Sequence, residues 1–227
     1  MLKNLSSLLF GGSCFLCRGA AREMLCRDCD AELPRLHPPR CPRCALASPL
    51  GAVCGRCLAQ PPRYDATVAA LAYEFPADTL VHALKFRGEL ALAPFLGSLL
   101  SRAIAPGKRL DHVIPVPLSA RRLRERGYNQ AVEIARALTA AAGAPLALNL
   151  CERSRDAPPQ IDLPWSERER NVRGAFRCTR SLLGASVAVV DDVMTTGATL
   201  DEIAASLKGA GASQVVNWVI ARTSPPG

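Results

Sequence analysis

Aromatic side chains are scarce in this chain of 227 residues, which has six Phe, three Tyr and two Trp. Proteins hold single-stranded nucleic acid largely on such rings, so the scarcity counts against that class of function. The three histidines, His37, His82 and His112, are too isolated to assign as acid, base or metal ligand. Long apolar runs are missing too, because a charge, Pro or Gly interrupts each one well short of the ~20 residues that cross a bilayer. The sequence therefore predicts no membrane insertion.

The first thirteen residues lack the features of a secretory signal. They contain one lysine and a short, interrupted apolar core, whereas a signal core runs for ~7–15 residues. We expect a short leader helix and a cytoplasmic protein. The chain is 49% hydrophobic and 21% charged, and its length allows one sizeable core with an appendage.

Cysteine, in contrast, is abundant and unevenly placed. Eight of the ten cysteines form four consecutive Cys-x-x-Cys pairs, namely Cys14, Cys17, Cys26, Cys29, Cys41, Cys44, Cys54 and Cys57. Two such pairs can close around one tetrahedral ion without a water ligand. The simplest pairing is sequential, with the first four cysteines on one zinc and the last four on another, although the pattern also allows a single zinc. The metal is expected to be structural, because the segments between the pairs have no core of their own.

Other interpretations of the cysteines are a disulfide framework, a redox Cys-x-x-Cys site and an iron–sulfur centre. Four tandem pairs, without a secretory signal or a neighbouring βαβ unit, favour zinc. Cys151 and Cys178 lie far from these pairs and from each other in the sequence. We interpret them as ordinary core thiols without a nearby partner.

A second domain is predicted after the Pro61-Pro62 pair, where apolar segments alternate with turn signals. Strands are predicted at residues 67–75, 112–117, 145–150, 187–191 and 214–221, and helices at 76–86, 90–104, 129–142 and 199–208. This alternation indicates an α/β fold with a mainly parallel sheet, which binds ligands beyond the carboxyl ends of its strands. We expect a double zinc ribbon with its leader helix at residues 1–62 and the α/β domain at residues 63–227.

One loop has the clearest functional pattern. A buried strand is expected to end at Asp191 and Asp192, and a small, hydroxyl-rich segment then leads into a helix. Thr199 and Glu202 fit a capping box, which would place the first helical turn directly after the loop and make its amides converge on an anion. Carboxylates accept hydrogen bonds from the vicinal hydroxyls of a ribose. The segment thus predicts a site for a sugar 5-phosphate, with a plain capped helix after a surface turn as the alternative.

A group of four arginines follows the predicted strand at 112–117 and its Pro-rich turn: Arg121, Arg122, Arg124 and Arg126. Such a group can bind a polyanion. Alone, it is more often a solvated helix face or a nucleic-acid patch. These arginines follow a strand of the same predicted sheet as the segment that would bind a sugar 5-phosphate. We therefore favour a polyanion site over these two alternatives.

Residues 153–176 form a long, polar segment broken by prolines. Long segments of this kind in compact domains are usually functional loops or disordered. Its position between two predicted strands resembles the flexible catalytic loop of type I phosphoribosyltransferases, and this resemblance implies that it closes over the substrate, with Arg153, Arg168 and Arg170 as candidate phosphate contacts.

The segment 187–200 resembles, nearly residue for residue, the phosphoribosyl pyrophosphate loop of type I phosphoribosyltransferases. Together with the Arg-Gly-Tyr-Asn-Gln run ending at Gln130, the Leu-Lys-Phe-Arg-Gly turn at 84–88 and the cysteine pairs, it resembles the ComF family over almost the whole chain. Members of that family combine a double zinc ribbon with a phosphoribosyltransferase domain. They are associated with the uptake and handling of single-stranded DNA in naturally competent bacteria.

The resemblance implies a sheet of the type I phosphoribosyltransferase kind that binds Mg²⁺-phosphoribosyl pyrophosphate, with the two acidic residues on the ribose hydroxyls. It implies catalytic roles for Asp191, Asp192, Lys85 and Arg121. The implied binding residues are Asp191, Asp192, Val193, Met194, Thr195, Thr196, Gly197, Ala198, Thr199, Pro117, Leu118, Arg121 and Arg122. On its own, a lysine at a helix end such as Lys85 is more often simply solvated.

Two functions stay open on the sequence. The first is a phosphoribosyltransferase with an unidentified acceptor, acting in competence, DNA uptake or nucleotide metabolism. The alternative is a non-catalytic competence factor that binds single-stranded DNA, works beside helicase-type proteins and uses the phosphoribosyl pyrophosphate site for regulation. The intact loop favours the first function, and the scarcity of aromatic residues counts against the second.

Overall fold

The computed structural model describes residues 12–105, 109–154 and 172–225. The predicted leader helix lies outside the described residues, as does most of the predicted long loop, including Arg168 and Arg170.

The cysteine-rich part consists of two small units with little regular structure. The first unit contains the antiparallel pair β1 (Gly12–Ser13) and β2 (Ala20–Ala21), followed by α1 (Arg27–Ala31). The second unit contains a 3₁₀ turn (Pro49–Gly51) and α2 (Gly55–Ala59). We refer to these units as the first ribbon, around Cys14 to Cys29, and the second ribbon, around Cys41 to Cys57. Elements this short do not persist in isolation.

The rest of the described chain alternates strands and helices. The strands are β3 (Ala66–Ala72), β4 (His112–Pro115), β5 (Cys151–Arg153), β6 (Phe176–Cys178), β7 (Ser186–Met194) and β8 (Gln214–Arg222). The helices are α3 (Ala77–Phe86), α4 (Leu92–Ala103), α5 (Ala120–Arg126), α6 (Gln130–Ala142) and α7 (Ala198–Gly209).

Four of these strands form a parallel sheet in the order β3-β8-β7-β4. Its two central strands are almost continuously buried, and Val187 to Val190 are fully inaccessible. Near-continuous apolar runs of this kind are typical of parallel strands covered on both faces. The predicted α/β class with a mainly parallel sheet is therefore confirmed.

Short segments cover both edges of the sheet. At the β3 edge, the chain that joins the two ribbons runs antiparallel to β3: the Leu36 amide donates to the Ala70 carbonyl at 2.9 Å, and the Ala72 amide donates to the Pro34 carbonyl at 2.7 Å. At the β4 edge, Leu146 forms a single parallel bridge to Val113. Covered edges leave few unpaired backbone groups for association with other chains.

The predicted strand at 145–150 is wrong in extent. Only Leu146 bridges to the sheet, and the chain becomes a strand at β5, which pairs antiparallel with β6. In this register Cys151 lies directly opposite Cys178. The two thiols that seemed isolated in the sequence are thus cross-strand neighbours in the β5–β6 pair.

Within the described residues, no helix has both the length and the apolar character needed to span a bilayer.

Candidate functional site

A cleft of about 770 Å³ opens at the carboxyl ends of β4 and β7. It brings together all the residues implied by the sequence resemblance: Lys85, Pro117, Leu118, Arg121, Arg122 and residues 191–199. Tyr73, Phe86, Tyr128 and Gln130 also line it and were not expected as site residues. The carboxyl edge of a parallel sheet is where ligands of such folds bind.

The two aspartates lie inside β7, which continues to Met194, past the strand end that the sequence predicted at these residues. Pairing with β8 continues past them, since Asp191 opposes Val219 and Met194 opposes Arg222. Asp192 is only 3% exposed, whereas Asp191 is half-buried. The Asp192 amide donates to Asp191 Oδ1 at 2.9 Å, which fixes the first carboxylate against the strand.

Lys85, in the last turn of α3, neutralises Asp192. Its Nζ lies 3.0 Å from Oδ2 and 3.2 Å from Oδ1 of Asp192. Burial would lower the pKa of Lys85, but the charges of Asp192 and Asp191 outweigh burial and raise it above the usual value. Lys85 is therefore charged and lies in the cleft. It differs in this from the solvated lysines that are common at helix ends.

Asp191 is the more unusual of the two acids. Burial, reinforced by the negative charge of Asp192, raises the pKa of Asp191 to about 7. Its Oδ1 accepts from the Asp192 amide, and the half-buried carboxylate lines the cleft. A carboxylate that is held in place, partly open and poised to ionise near neutral pH can accept hydrogen bonds from a ligand's hydroxyl groups.

The segment 194–199 joins β7 to α7, including the last residue of β7 and the first two of α7, and is referred to below as the phosphate loop. Gly197 adopts a left-handed conformation with φ 88°. In the described part of the chain, the amides of Thr195, Thr196 and Gly197 donate no hydrogen bond. Three consecutive unpaired amides beside the start of a helix of twelve residues form the type of concavity that binds anions.

The predicted capping box at Thr199 and Glu202 is wrong. The helix begins at Ala198 with Gly197 as its N-cap, and the Ala198 amide donates to Thr196 Oγ1 at 3.1 Å. Glu202 instead accepts from the Gly174 amide at 2.7 Å and from Arg63 at 3.1 Å. The pattern was misleading because Gly197 turns the chain two residues before the expected cap.

Gly197→Ala is expected to destabilise the protein by about 2–3 kcal/mol, because a left-handed backbone costs any other residue roughly 1–2 kcal/mol and the methyl also meets neighbours. A Cβ would lie 2.7 Å from Met194 Cε and 3.1 Å from Tyr64 Oη. Gly143→Ala is the matched control, since Gly143 has φ 61° but open space around it. Urea unfolding should show a larger loss for Gly197→Ala, and equal losses would contradict the close contact.

The arginine group lies on α5 and faces the same cleft in part. Ser119 caps this helix by accepting from the Arg122 amide at 3.3 Å. Arg121 and Arg122 line the cleft, as does Arg126, whose guanidinium lies 5.2 Å from the Phe86 ring centroid. Three cations thus line the same cleft as the phosphate loop, where a pyrophosphate group would find charge-assisted donors.

The eight early cysteines form two four-sulfur groups. In each, the Sγ atoms lie within 4.8 Å of one another, and the groups are Cys14, Cys17, Cys26, Cys29 and Cys41, Cys44, Cys54, Cys57. Zinc bound tetrahedrally at ~2.3 Å separates its sulfurs by about 3.8 Å. The Cys17–Cys26 and Cys44–Cys54 sulfurs are 3.7 Å and 3.6 Å apart. Both groups fit structural zinc, and the predicted sequential pairing is confirmed.

Two arginines that touch the phosphate loop were missed in the sequence. Arg222, at the end of β8, donates to the carbonyls of Met194 at 2.9 Å and of Thr195. Arg56, on α2 of the second ribbon, donates to the Thr196 carbonyl at 3.2 Å. No local signal marks either contact, because Arg56 lies within the Cys54–Cys57 pair but 140 residues from Thr196, and Arg222 lies 27 residues from Thr195.

Comparison with known proteins supports the ribbon assignment and the extent of the resemblance. A family model described as a double zinc ribbon domain matches residues 5–58. The DNA utilization protein YhgH of Salmonella typhimurium is 34% identical over 222 residues, which cover 93% of this chain and 97% of the relative. Competence protein F of Haemophilus influenzae is 32% identical over 226 residues, covering 94% of this chain and 98% of the relative.

Among solved structures, a glutamine phosphoribosylpyrophosphate amidotransferase from B. subtilis is 25% identical, with a TM-score of 0.39. The match covers 56% of this chain and 25% of that enzyme. The relatives at 32–34% identity span nearly all of both chains. The chain therefore belongs to the ComF family, which includes competence protein F and the DNA utilization protein YhgH.

Proposed function

We propose that this protein binds Mg²⁺-phosphoribosyl pyrophosphate and transfers ribose 5-phosphate to an acceptor, with release of pyrophosphate. One observation carries the proposal: three unpaired loop amides, a pair of acids and three arginines face one cleft at the carboxyl edge of the sheet. These groups match the three parts of the substrate, a phosphate, a diol and a pyrophosphate.

Each part of the substrate finds its own partners. The amides of Thr195, Thr196 and Gly197 bind the 5-phosphate, aided by the positive end of α7. Asp191 accepts from the ribose hydroxyls, while Asp192 holds Lys85 at the cleft through their ion pair. The guanidinium groups of Arg121 and Arg122, which line the same cleft, bind the pyrophosphate.

In the transfer, the bond between the anomeric carbon and the pyrophosphate oxygen breaks, and that oxygen leaves with the electron pair. A bond from the acceptor's nucleophilic atom to the same carbon replaces it. Negative charge grows on the departing pyrophosphate, so cations already in place stabilise the transition state more than the ground state. Arg121 and Lys85 are the cations assigned to this role, and in the unliganded cleft they are paired with Glu125 at 3.2 Å and with Asp192 at 3.0 Å.

The donor set also suits the metal that accompanies this substrate. Mg²⁺ prefers oxygen ligands and is commonly held by one or two carboxylates together with substrate phosphates. Asp191 is half-buried and lines the cleft, and it is the residue that would contribute to metal binding. When bound, the metal neutralises charge on the pyrophosphate.

Calorimetric titration with Mg²⁺-phosphoribosyl pyrophosphate tests the binding step. Asp191→Asn is expected to weaken binding by about 10- to 100-fold, because it removes a charged hydrogen-bond acceptor. Wild-type affinity should rise from pH 6 to pH 8, since a pKa of about 7 means that Asp191 ionises across this range. The variant should show no such rise. Asp28→Asn, an exposed change in the first ribbon, should bind like the wild type.

Release of pyrophosphate, measured with nucleobases or single-stranded DNA as acceptors, tests the transfer step. Turnover that is lost in Asp191→Asn supports a transferase. If the wild type does not bind phosphoribosyl pyrophosphate, or if Asp191→Asn binds equally well, the proposal fails.

A second candidate function is DNA binding, because the family relatives carry names that refer to competence and DNA utilization. In that case the cleft would bind phosphoribosyl pyrophosphate for regulation without turnover. Binding of a single-stranded oligonucleotide that weakens steeply with salt, together with no pyrophosphate release, would favour this candidate.

We also propose that the chain divides at residues 62 and 63 into the double zinc ribbon and the phosphoribosyltransferase-type domain. The Pro61-Pro62 pair and the start of β3 at Ala66 support that position.

A further inference from the structure

The second ribbon is built against the back of the phosphate loop. We infer that this ribbon positions the loop, so that zinc in the site of Cys41, Cys44, Cys54 and Cys57 controls the affinity of the cleft for a phosphorylated sugar. The identity of the ligand rests on the proposed function, whereas the mechanical link between ribbon and loop does not.

Arg222 is the first part of this link. Its side chain is only 2% exposed, and its Nε donates to the carbonyl of Cys44 at 2.9 Å. Its Nη1 donates to the carbonyls of Met194 at 2.9 Å and of Thr195. A single buried guanidinium therefore joins the backbone of a zinc ligand to the backbone of the phosphate loop.

Arg56 is the second part. It lies on α2 between the zinc ligands Cys54 and Cys57, and its Nη2 donates to the Thr196 carbonyl at 3.2 Å. The carbonyls of three consecutive loop residues are thus held by guanidinium groups, two by Arg222 and one by Arg56.

The orientation of these carbonyls determines the orientation of the loop amides. In a planar trans peptide, the C=O of one residue and the N–H of the next point in opposite directions. Holding the carbonyls of Met194, Thr195 and Thr196 toward the ribbon therefore turns the N–H groups of Thr195, Thr196 and Gly197 the other way. These are the same three amides that lack a partner in the described chain. The two arginines thus prepare the anion site from behind.

Tyr64 adds a packing contact to the link. It is 3% exposed, and its carbonyl accepts from Arg43 of the second ribbon at 2.9 Å. Its hydroxyl lies 3.1 Å from the position that a Cβ on Gly197 would take. Cys41, Cys44 and Cys57 share one hydrophobic cluster with Tyr64, Met194 and Ala198.

The first ribbon provides an internal comparison. Its buried Cys14, Leu25 and Leu33 pack in the other core cluster, with Leu71 and Leu80. The guanidinium groups that hold the carbonyls of residues 194–196 belong to Arg56 and Arg222, neither of which is in the first ribbon. The two zinc sites are therefore similar in ligands but differ in what they support.

Loss of the second zinc would release the loop by a simple route. Without the metal, the short α2 and the Cys44 backbone lose their fixed positions, and Arg56 no longer reaches Thr196. A loop carbonyl is then free to rotate toward the cleft, where its oxygen would repel a phosphate.

The test compares two pairs of matched variants of the full chain. Cys54→Ser disrupts the second ribbon and Cys17→Ser the first, whereas Arg56→Ala and Arg22→Ala each remove one exposed arginine, from the second and first ribbons respectively. With Mg²⁺-phosphoribosyl pyrophosphate as the probe, Arg56→Ala should lose about 10-fold in affinity and Cys54→Ser about 10- to 100-fold. Cys17→Ser and Arg22→Ala should each change it by less than about 2-fold.

Amide hydrogen exchange gives a readout that needs no ligand. The amides of Ala198, Asp201 and Thr223 donate to Thr196 Oγ1, the Gly197 carbonyl and the Met194 carbonyl. They should exchange faster in Cys54→Ser and Arg56→Ala than in their first-ribbon counterparts. Zinc content and circular dichroism of each variant establish that the α/β part is folded, and Arg56→Ala retains all eight cysteines if Cys54→Ser fails to fold.

Equal effects of the two ribbons on exchange, or unchanged exchange and affinity in Arg56→Ala, would overturn the inference. If the wild type does not bind the probe, the proposed ligand is wrong. The exchange comparison alone then decides whether the second ribbon positions the loop.

Discussion

Asp191→Asn is expected to stabilise the folded protein by about 1–2 kcal/mol at pH 8. The folded pKa of Asp191, about 7, lies above the ordinary value of 3.8. Stability therefore falls as pH rises from about 4 to 7, because the unfolded chain gives up this proton first. Asparagine keeps the acceptor for the Asp192 amide and removes the proton-linked cost.

Asp192→Asn is expected to act in the opposite direction. It leaves Lys85 charged, largely buried and without the carboxylate 3.0 Å away, which should lower the free energy of unfolding by about 2 kcal/mol. Lys85→Met combined with Asp192→Asn should recover most of that loss, because the pair is then removed as a unit.

Urea unfolding at pH 4 and pH 8, in buffers with zinc, distinguishes the two neighbours. The gain in Asp191→Asn should be present at pH 8 and absent at pH 4. If Asp191→Asn and Asp192→Asn changed the free energy of unfolding at pH 8 in the same direction, this result would contradict the different environments of the two acids. We therefore expect Asp191→Asn to be more stable than the wild type but to bind substrate poorly. This combination is typical of sites where a functional residue lowers the stability of the fold.

Removal of zinc should have the second large effect. The purified chain is expected to contain two zinc ions, and a strong chelator with a thiol reductant should unfold residues 12–60. These residues hold only two-residue strands and five-residue helices, whereas one structural zinc contributes about 10–16 kcal/mol of apparent binding free energy in small domains. Elemental analysis gives the metal content, and limited proteolysis gives the site of unfolding.

Cleavage should begin within the ribbons and spread to β3 only later. Because residues 34–36 cover the edge of β3, the apo protein should also aggregate more readily. Magnesium added in place of zinc is the control and should not restore protection, since it prefers oxygen ligands. One zinc per chain, or protection that survives the chelator, would contradict two structural sites.

The parts of the molecule that the sequence predicted well depend on short-range patterns. The Cys-x-x-Cys pairs identify both metal sites because two ligands on one turn must share an ion. The run from Val187 through the acids to α7 identifies the cleft because strand, loop and helix are contiguous. Most strands of the sheet were predicted at the correct place because their apolar periodicity is a local pattern.

The parts that were missed depend on distant contacts. Cys151 faces Cys178 only through the β5–β6 pairing, and the capping pattern at Thr199 gave way to the left-handed Gly197. In the sequence, Arg222 is a polar residue at the end of an apolar strand. Nothing near it in the sequence indicates that it donates to the Cys44 carbonyl, 178 positions away. Such contacts require the complete tertiary structure.

The position of β8 has a consequence for biosynthesis. It lies between β3 and β7, so the sheet has a gap in its middle until residue 222 has left the ribosome. The second ribbon is made before β8, yet the guanidinium that joins this ribbon to the phosphate loop lies in β8. The complete sheet and this link can therefore form only after β8 has been synthesised, and a premature stop that removes β8 would remove a central strand and the link together.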